Sequence, residues 1–202
     1  MNKFTVGLMV VLLFIVAGCT TLPPKNQNNL CEIFYEHDHW YKHAVKSEKK
    51  WGVPIPVSMA FIYQESRFVA DAKPPRTKFL WIFPRPRKSS AYGYPQAKDE
   101  TWEWYQKDAD NGWGDRDDFS DAMDFIAWYN VQSHRKLGLS KTDAYSLYLA
   151  YHEGHGGFSR GTYKNKQWLL NVASKVQRRS QQYGAQLASC RKDLDSDGWW
   201  PF

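Results

Sequence analysis

Alternating apolar and polar residues, the mark of a half-buried strand, are scarce in this chain, and no internal repeat is visible along its 202 residues. That argues against sheet-built and solenoid architectures and leaves a mainly α chain. Cysteine is nearly absent: Cys19, Cys31 and Cys190 are the whole set. No apolar run is long enough to cross a bilayer comfortably, since the longest, Phe4 to Val16, falls short. A metal-binding pattern is missing as well. His39 and His43 stand one turn apart, but no carboxylate or cysteine pattern joins them, so they read as a solvated face. Neither a metal nor a cofactor is expected.

Targeting comes first among the features that are present. Lys3 followed by the apolar run makes residues 1–18 a secretory signal. The run ends in Val16-Ala17-Gly18-Cys19, which resembles the lipobox of bacterial lipoproteins. That resemblance implies diacylation of Cys19 as the new N-terminus; a plain signal with an incidental cysteine is the alternative. Thr20 stands where an Asp would favour inner-membrane retention. The resemblance therefore implies a periplasmic protein anchored to the inner leaflet of the outer membrane. Residues 19–30 become the lipidated Cys and a polar, Pro-containing tether. Cys31 and Cys190 remain, and in an oxidising compartment one pair means one disulfide, joining the start of a 31–190 domain to its end. Two buried thiols are the alternative.

Apolar residues make up 43% and aromatics 16% of the chain, which points to one globular domain rather than disorder. Ten Trp fill a core, with exposed rings suited to stacking on sugar faces. A net charge of +6 favours anionic partners: lipid headgroups, wall polymer or nucleic acid. Export sets nucleic acid aside.

Along the chain, helical spacing is expected over 31–50, with Asn29 as a cap, and again in the stretch that follows Pro54 and Pro56. Residues 71–89 carry Pro74, Pro75, Pro84 and Pro86 among six cations, with Trp81 near the middle. Proline discourages helix and central strand, so this reads as a loop insertion or flap. Trp81 would be a sugar platform, with the loop cations meeting wall-peptide carboxylates, or an apolar tip at a membrane interface; a loop that merely covers core is the alternative. Further helices are expected over 96–108, over 119–137 between Asp118 and Gly138, from about 143 to 151, and over 165–189. The last would carry Trp168, Leu169, Val172, Val176, Tyr183 and Leu187 inward, and Lys175, Arg178 and Arg179 on a basic outer face. Residues 191–202 read as an acidic and aromatic tail.

Glu65 is the organising residue. It lies in Ala60-Phe61-Ile62-Tyr63-Gln64-Glu65-Ser66-Arg67-Phe68, near the edge of an apolar helix face. A carboxyl held against apolar side chains loses hydration and its pKa rises. Such an acid suits cleavage of a glycosidic bond. The structural alternative is a helical Glu in a salt bridge with Arg67 or a neighbour. Two later stretches bear on the choice: Ser90-Ala91-Tyr92-Gly93-Tyr94-Pro95-Gln96 and Ala150-Tyr151-His152-Glu153-Gly154. With Glu65-Ser66 first, the three resemble, in order and over about residues 48 to 185, the soluble-type (SLT) lytic transglycosylases of the lysozyme-like superfamily.

That resemblance implies a lysozyme-like single domain that binds peptidoglycan glycan strands, with Glu65 as sole acid and base and a 1,6-anhydro product. It makes Gln96 and Tyr151 subsite residues, with Tyr151 hydrogen-bonding at the scissile bond or to Glu65 itself. Gly93 would allow close backbone approach to the ligand, and Ser66 would support the helix end through a backbone hydrogen bond. Envelope machinery is a further possible partner.

The chain departs from the family pattern at Tyr94-Pro95, and at His152-Glu153 in place of Asn-Ala. Glu153 turned into the cleft would position water and favour hydrolysis; turned outward it would simply face solvent, the reading we favour. A muramidase-type hydrolase and a catalytically idle wall-binding lipoprotein are thus the alternatives. Two apparent metal motifs fail. His152-Glu153-Gly154-His155 brings its second His one residue early for a zincin. Asp193 to Gly198 opens a calcium loop that the chain is too short to close with a Glu.

Overall fold

The computed structural model describes residues 21–75 and 89–196, together with the backbone at 78–79 and 83–84. The expected signal, Cys19, Trp81 and the last residues of the expected tail lie outside the described residues.

Helix α5 (Phe119–Leu137) is the central element, and its sequence explains its limits. Asp118 accepts a hydrogen bond from the Asp121 N–H at the start, and Gly138 takes a left-handed conformation at the end. Between them Phe125, Ile126, Trp128 and Tyr129 are buried. Helices α2 (Asp38–Trp51), α3 (Ile55–Ser66) and α6 (Ala144–Ser159) pack on α5, while α7 (Gln167–Ser196) lies along α3 and α6. α1 (Leu30–Glu36) packs on α7, and α4 (Asp99–Asp108) on α5. The fold is mainly α, as expected.

Large rings bind these layers together. Trp40 stacks on Phe119 at 4.0 Å and meets Phe68 at 5.8 Å and Tyr94 at 5.9 Å, joining α2 to the end of α3. Trp128 packs edgewise against Trp104 and Tyr105. Each such fully buried side chain contributes about 1.5–3 kcal/mol. Among the described residues, the core members lie between Leu30 and Leu194. All of the described core therefore falls within residues 20–202, the part that remains once the expected signal is removed.

Several boundaries differ from the sequence reading. The helix expected over 31–50 is two helices, because the chain turns at His37 between α1 and α2. The helix expected from Gln96 starts at Asp99, since Gln96 itself is left-handed (φ 49°). Gly154 (φ 72°, ψ 159°) kinks α6 instead of ending it. α7 continues through residue 190 to Ser196, so the first part of the expected tail is helical. It is held by Arg191 to Glu48 at 2.6 Å and by Tyr41 to Asp195 at 2.5 Å. Trp168 is 55% exposed rather than inward.

The expected tether is also partly docked. Gln27 donates to the Arg67 carbonyl, its own carbonyl accepts from Tyr183, and Asn28 Oδ1 accepts from Arg179. A disulfide links Cys31 to Cys190 across 159 residues. The chain-entropy estimate gives such a closure about 5 kcal/mol. Within the 71–89 insertion, β1 (Lys78–Phe79) and β2 (Phe83–Pro84) pair antiparallel, so Pro84 sits in a strand despite its sequence signal.

Candidate active site

The last turn of α3 carries Glu65 to the floor of a cleft of about 410 Å³. Pro56 in the first turn and a buried apolar body hold that helix, and Arg67 closes it in a left-handed conformation. The opposite wall comes from α6, with Tyr151 and Glu153. Gln96 and its neighbours form one end, and Phe125 and Tyr129 of α5 form the back. Glu65 keeps some exposure toward the cleft and is enclosed by protein on its other sides.

Burial pushes the Glu65 carboxyl up to about 7. A hydrogen bond from the Tyr148 hydroxyl opposes that rise, because it favours the carboxylate. The phenol of Tyr148 is in turn raised, by its own burial first and then by the carboxylate beside it. No described cation forms an ion pair with Glu65; Arg67 instead lies over the Tyr63 ring at 3.9 Å. The salt-bridge alternative therefore does not hold, and Glu65 is a carboxyl with one neutral donor in an apolar setting.

Tyr151 does not bond to Glu65, one of the two partners expected from sequence. Its hydroxyl donates to the Pro95 carbonyl at 2.5 Å, and Tyr148, one turn earlier on the same face, takes the place beside Glu65. The contact of Tyr148 with Glu65 is one that the sequence reading missed, and its three-residue spacing from Tyr151 was the available signal. Phe61 meets both rings edgewise, at 5.3 and 5.4 Å, and keeps their hydroxyl ends oriented. The Tyr151 bond ties α6 to the turn that presents Gln96.

Gln96 reaches the cleft, with its amide nitrogen held by the carbonyls of Ala72 at 2.8 Å and Gly93 at 2.9 Å. No described residue donates to its amide oxygen, which leaves that atom to receive a hydroxyl or amide proton. Gly93 serves packing instead of ligand approach. A Cβ on its positive-φ backbone would sit 2.1 Å from the Arg116 carbonyl oxygen. Ser66 is likewise not a cleft residue: it is buried and its hydroxyl donates to the Ile62 carbonyl at 3.2 Å.

Glu153 lines the cleft but faces neither solvent nor a free water site. Its side chain is 4% exposed, and its carboxylate accepts from Lys166 at 2.7 and 2.8 Å, from Thr162, and from His152 at 3.1 Å. The hydrogen bonds from Lys166 and Thr162 hold it down at about 2. His155 contacts different groups, Ser133 at 3.0 Å and the face of Tyr129 at 4.8 Å. One enclosed acid and one locked carboxylate thus share a groove floored by aromatic rings. The groove can move a proton at one carboxyl while amide and hydroxyl groups hold a polar ligand.

A sequence model of the family described as transglycosylase SLT domain matches residues 7–190. No curated protein and no solved structure matches the chain.

Proposed function

Since the chain belongs to the transglycosylase SLT domain family, with its mainly α, lysozyme-like fold, we propose that it cleaves peptidoglycan strands by lytic transglycosylation. Glu65 acts as sole acid and base. The protonated carboxyl gives its proton to the oxygen joining N-acetylmuramic acid to N-acetylglucosamine as the C1–O bond breaks. The resulting carboxylate takes the proton of the muramyl C6 hydroxyl while O6 closes on C1. The product is a 1,6-anhydro end, no water is consumed, and Glu65 finishes protonated again.

The observation that carries this reading is the position of the Glu65 carboxyl near 7, where both protonation states are populated at neutral pH. An acid that must first donate and then accept works best there. The tethered C6 hydroxyl makes a second carboxylate unnecessary, because its effective concentration is high. The state of Glu153 supports the same route. A carboxylate held near 2 by Lys166 and Thr162 is a weak base and a poor activator of water. A catalytically idle binder gives no reason to enclose an acid in an apolar pocket at an energetic cost.

The substrate contacts proposed are the Gln96 amide oxygen and the aromatic wall of Phe125, Tyr129 and Tyr151. Tyr148 is a positioning residue that fixes the rotamer of Glu65. We place the protein in the periplasm, anchored through diacylated Cys19 to the inner leaflet of the outer membrane. This rests on the Val16-Ala17-Gly18-Cys19 sequence. No described helix is long and apolar enough to cross a membrane.

Digestion of sacculi in ¹⁸O-labelled water tests the chemistry. Transglycosylation gives muropeptides one water lighter than hydrolysis products and free of ¹⁸O. A labelled reducing end would assign the reaction to a hydrolase.

A further inference from the structure

On the side of α3 away from the cleft, a second recess of about 340 Å³ opens between α3 and α7. Tyr63 stands two positions before Glu65 and so projects about 200° away around the helix. Tyr63 and Arg67 form one wall, and Lys175, Arg178, Arg179 and Gln182 form the other. The α7 residues recur at helical spacing and make a single stripe. Sequence alone reads this stripe as a solvated basic face; the fold turns it toward α3 and closes it into a pocket.

The four cations have no carboxylate partner among the described residues. Four described cations elsewhere are paired, Lys50 with Asp124, Arg116 with Asp99, Lys166 with Glu153 and Arg191 with Glu48, while others such as Lys107 and Arg135 stand exposed on open surface; in this recess four unpaired cations converge. Here Arg67 and Arg179 are both held against the Tyr63 ring, each 3.9 Å from its centroid. Arg179 is further fixed by Asn28 Oδ1 at 2.8 Å. Rigid guanidinium groups brought together without a counter-charge repel one another, and an anion with planar oxygens relieves that repulsion. The cleft brings one exposed cation to its lining, Lys98, and Lys166 beside it is already occupied by Glu153, so it gathers no comparable cluster of charge.

We propose that this pocket binds the carboxylates of the acidic peptide stems carried by peptidoglycan, as a wall-docking site separate from the cleft. The assignment of the occupant rests on the peptidoglycan reading above. A recessed entrance with Gln27 and Asn28 docked at its rim admits a slender peptide more readily than a flat bilayer surface.

The test uses residues 20–202 in a Glu65→Gln background, so that no ligand is consumed. A soluble disaccharide tetrapeptide is titrated into this protein, into a pocket pair Lys175→Glu/Arg178→Glu, and into a control pair Lys107→Glu/Arg135→Glu of equal charge on other exposed surface. Neither pocket residue makes a fold-stabilising contact in the described structure. The expected result is a loss of about tenfold or more for the pocket pair, since two attractive charges become repulsive. The control pair should stay within about twofold, and a ligand with its peptide carboxylates amidated should bind the unaltered pocket as weakly as the acid form binds the pocket pair. Equal losses in both pairs, or no dependence on the carboxylates, would overturn the proposal. Pocket-dependent binding to phosphatidylglycerol vesicles with none to the tetrapeptide would overturn the assigned occupant. Restoring Glu65 separates the two readings. Peptide binding without any anhydro product would remove the catalytic account and leave the pocket standing.

Discussion

Tyr148 donates its hydroxyl to Glu65 from a position one helical turn before Tyr151, and it is the hydrogen bond that sets how far burial raises the acid. Tyr148→Phe removes the contact that favours the carboxylate while leaving the apolar surroundings in place. The Glu65 limb of the pH–rate profile should move to higher pH. Loss of a hydrogen bond to an ionisable group corresponds to about 1.5–3 kcal/mol, or roughly ten- to a hundredfold in rate if it acts fully in the transition state. A drop in rate with an unmoved profile would assign Tyr148 to packing only.

Glu65 also weakens the fold as pH rises. Its folded-state value, about 7, lies above the ordinary 4.5. Between those values the native state binds more protons than the unfolded chain, so stability falls as pH increases through that window. Glu65→Gln removes the titration. Relative to wild type, it should gain up to about 3 kcal/mol at pH 8 and almost nothing at pH 4, read from denaturant midpoints. An equal effect at both pH values would contradict the enclosed-acid account.

Glu153 has the opposite sign. Its value of about 2 lies below the ordinary 4.5, so its contribution is present above the ordinary value and fades as pH falls through the folded one. Lys166→Met leaves a nearly buried carboxylate with only Thr162 and His152, whereas Glu153→Gln removes the charge. The first should destabilise more than the second, by about 1–3 kcal/mol in thermal or chemical unfolding. Glu153→Gln should still yield anhydro products. A switch in product type would bring Glu153 back into the chemistry.

The contrast between Glu65 and Gly93 shows what the sequence could and could not reveal. Glu65 was legible through company: an acid on an apolar helix face reads equally as a salt-bridged Glu, and the Ser90–Gln96 and Ala150–Gly154 stretches, in family order, decided between the two. The limits of α5 were legible because Asp118 and Gly138 are local signals. Gly93 was found by motif but given the wrong neighbour, since only the fold brings the Arg116 carbonyl against it. The choice between Tyr148 and Tyr151 depends on the rotational setting of α6 against α3, which no local pattern records. The Lys166 partner of Glu153 lies across the kink at Gly154, where helical spacing no longer counts. The basic stripe of α7 became a pocket only through its packing on α3.

Gly93→Ala tests the packing role directly. The added methyl would have to displace the Arg116 backbone and adopt φ near 76°, so a loss of about 3 kcal/mol or more is expected in thermal unfolding. A near-neutral result would return Gly93 to the list of ligand-facing positions.

The central claim is that a single enclosed carboxyl, Glu65, performs both proton transfers. The most direct measurement is mass analysis of the soluble products from purified sacculi treated with wild-type residues 20–202 and with Glu65→Gln, at matched concentration and pH. The account predicts 1,6-anhydromuropeptides from the wild type and none from the variant, with the variant folded and at least as stable at neutral pH. Anhydro product from Glu65→Gln at a comparable rate would contradict it, as would reducing-end muropeptides from the wild type.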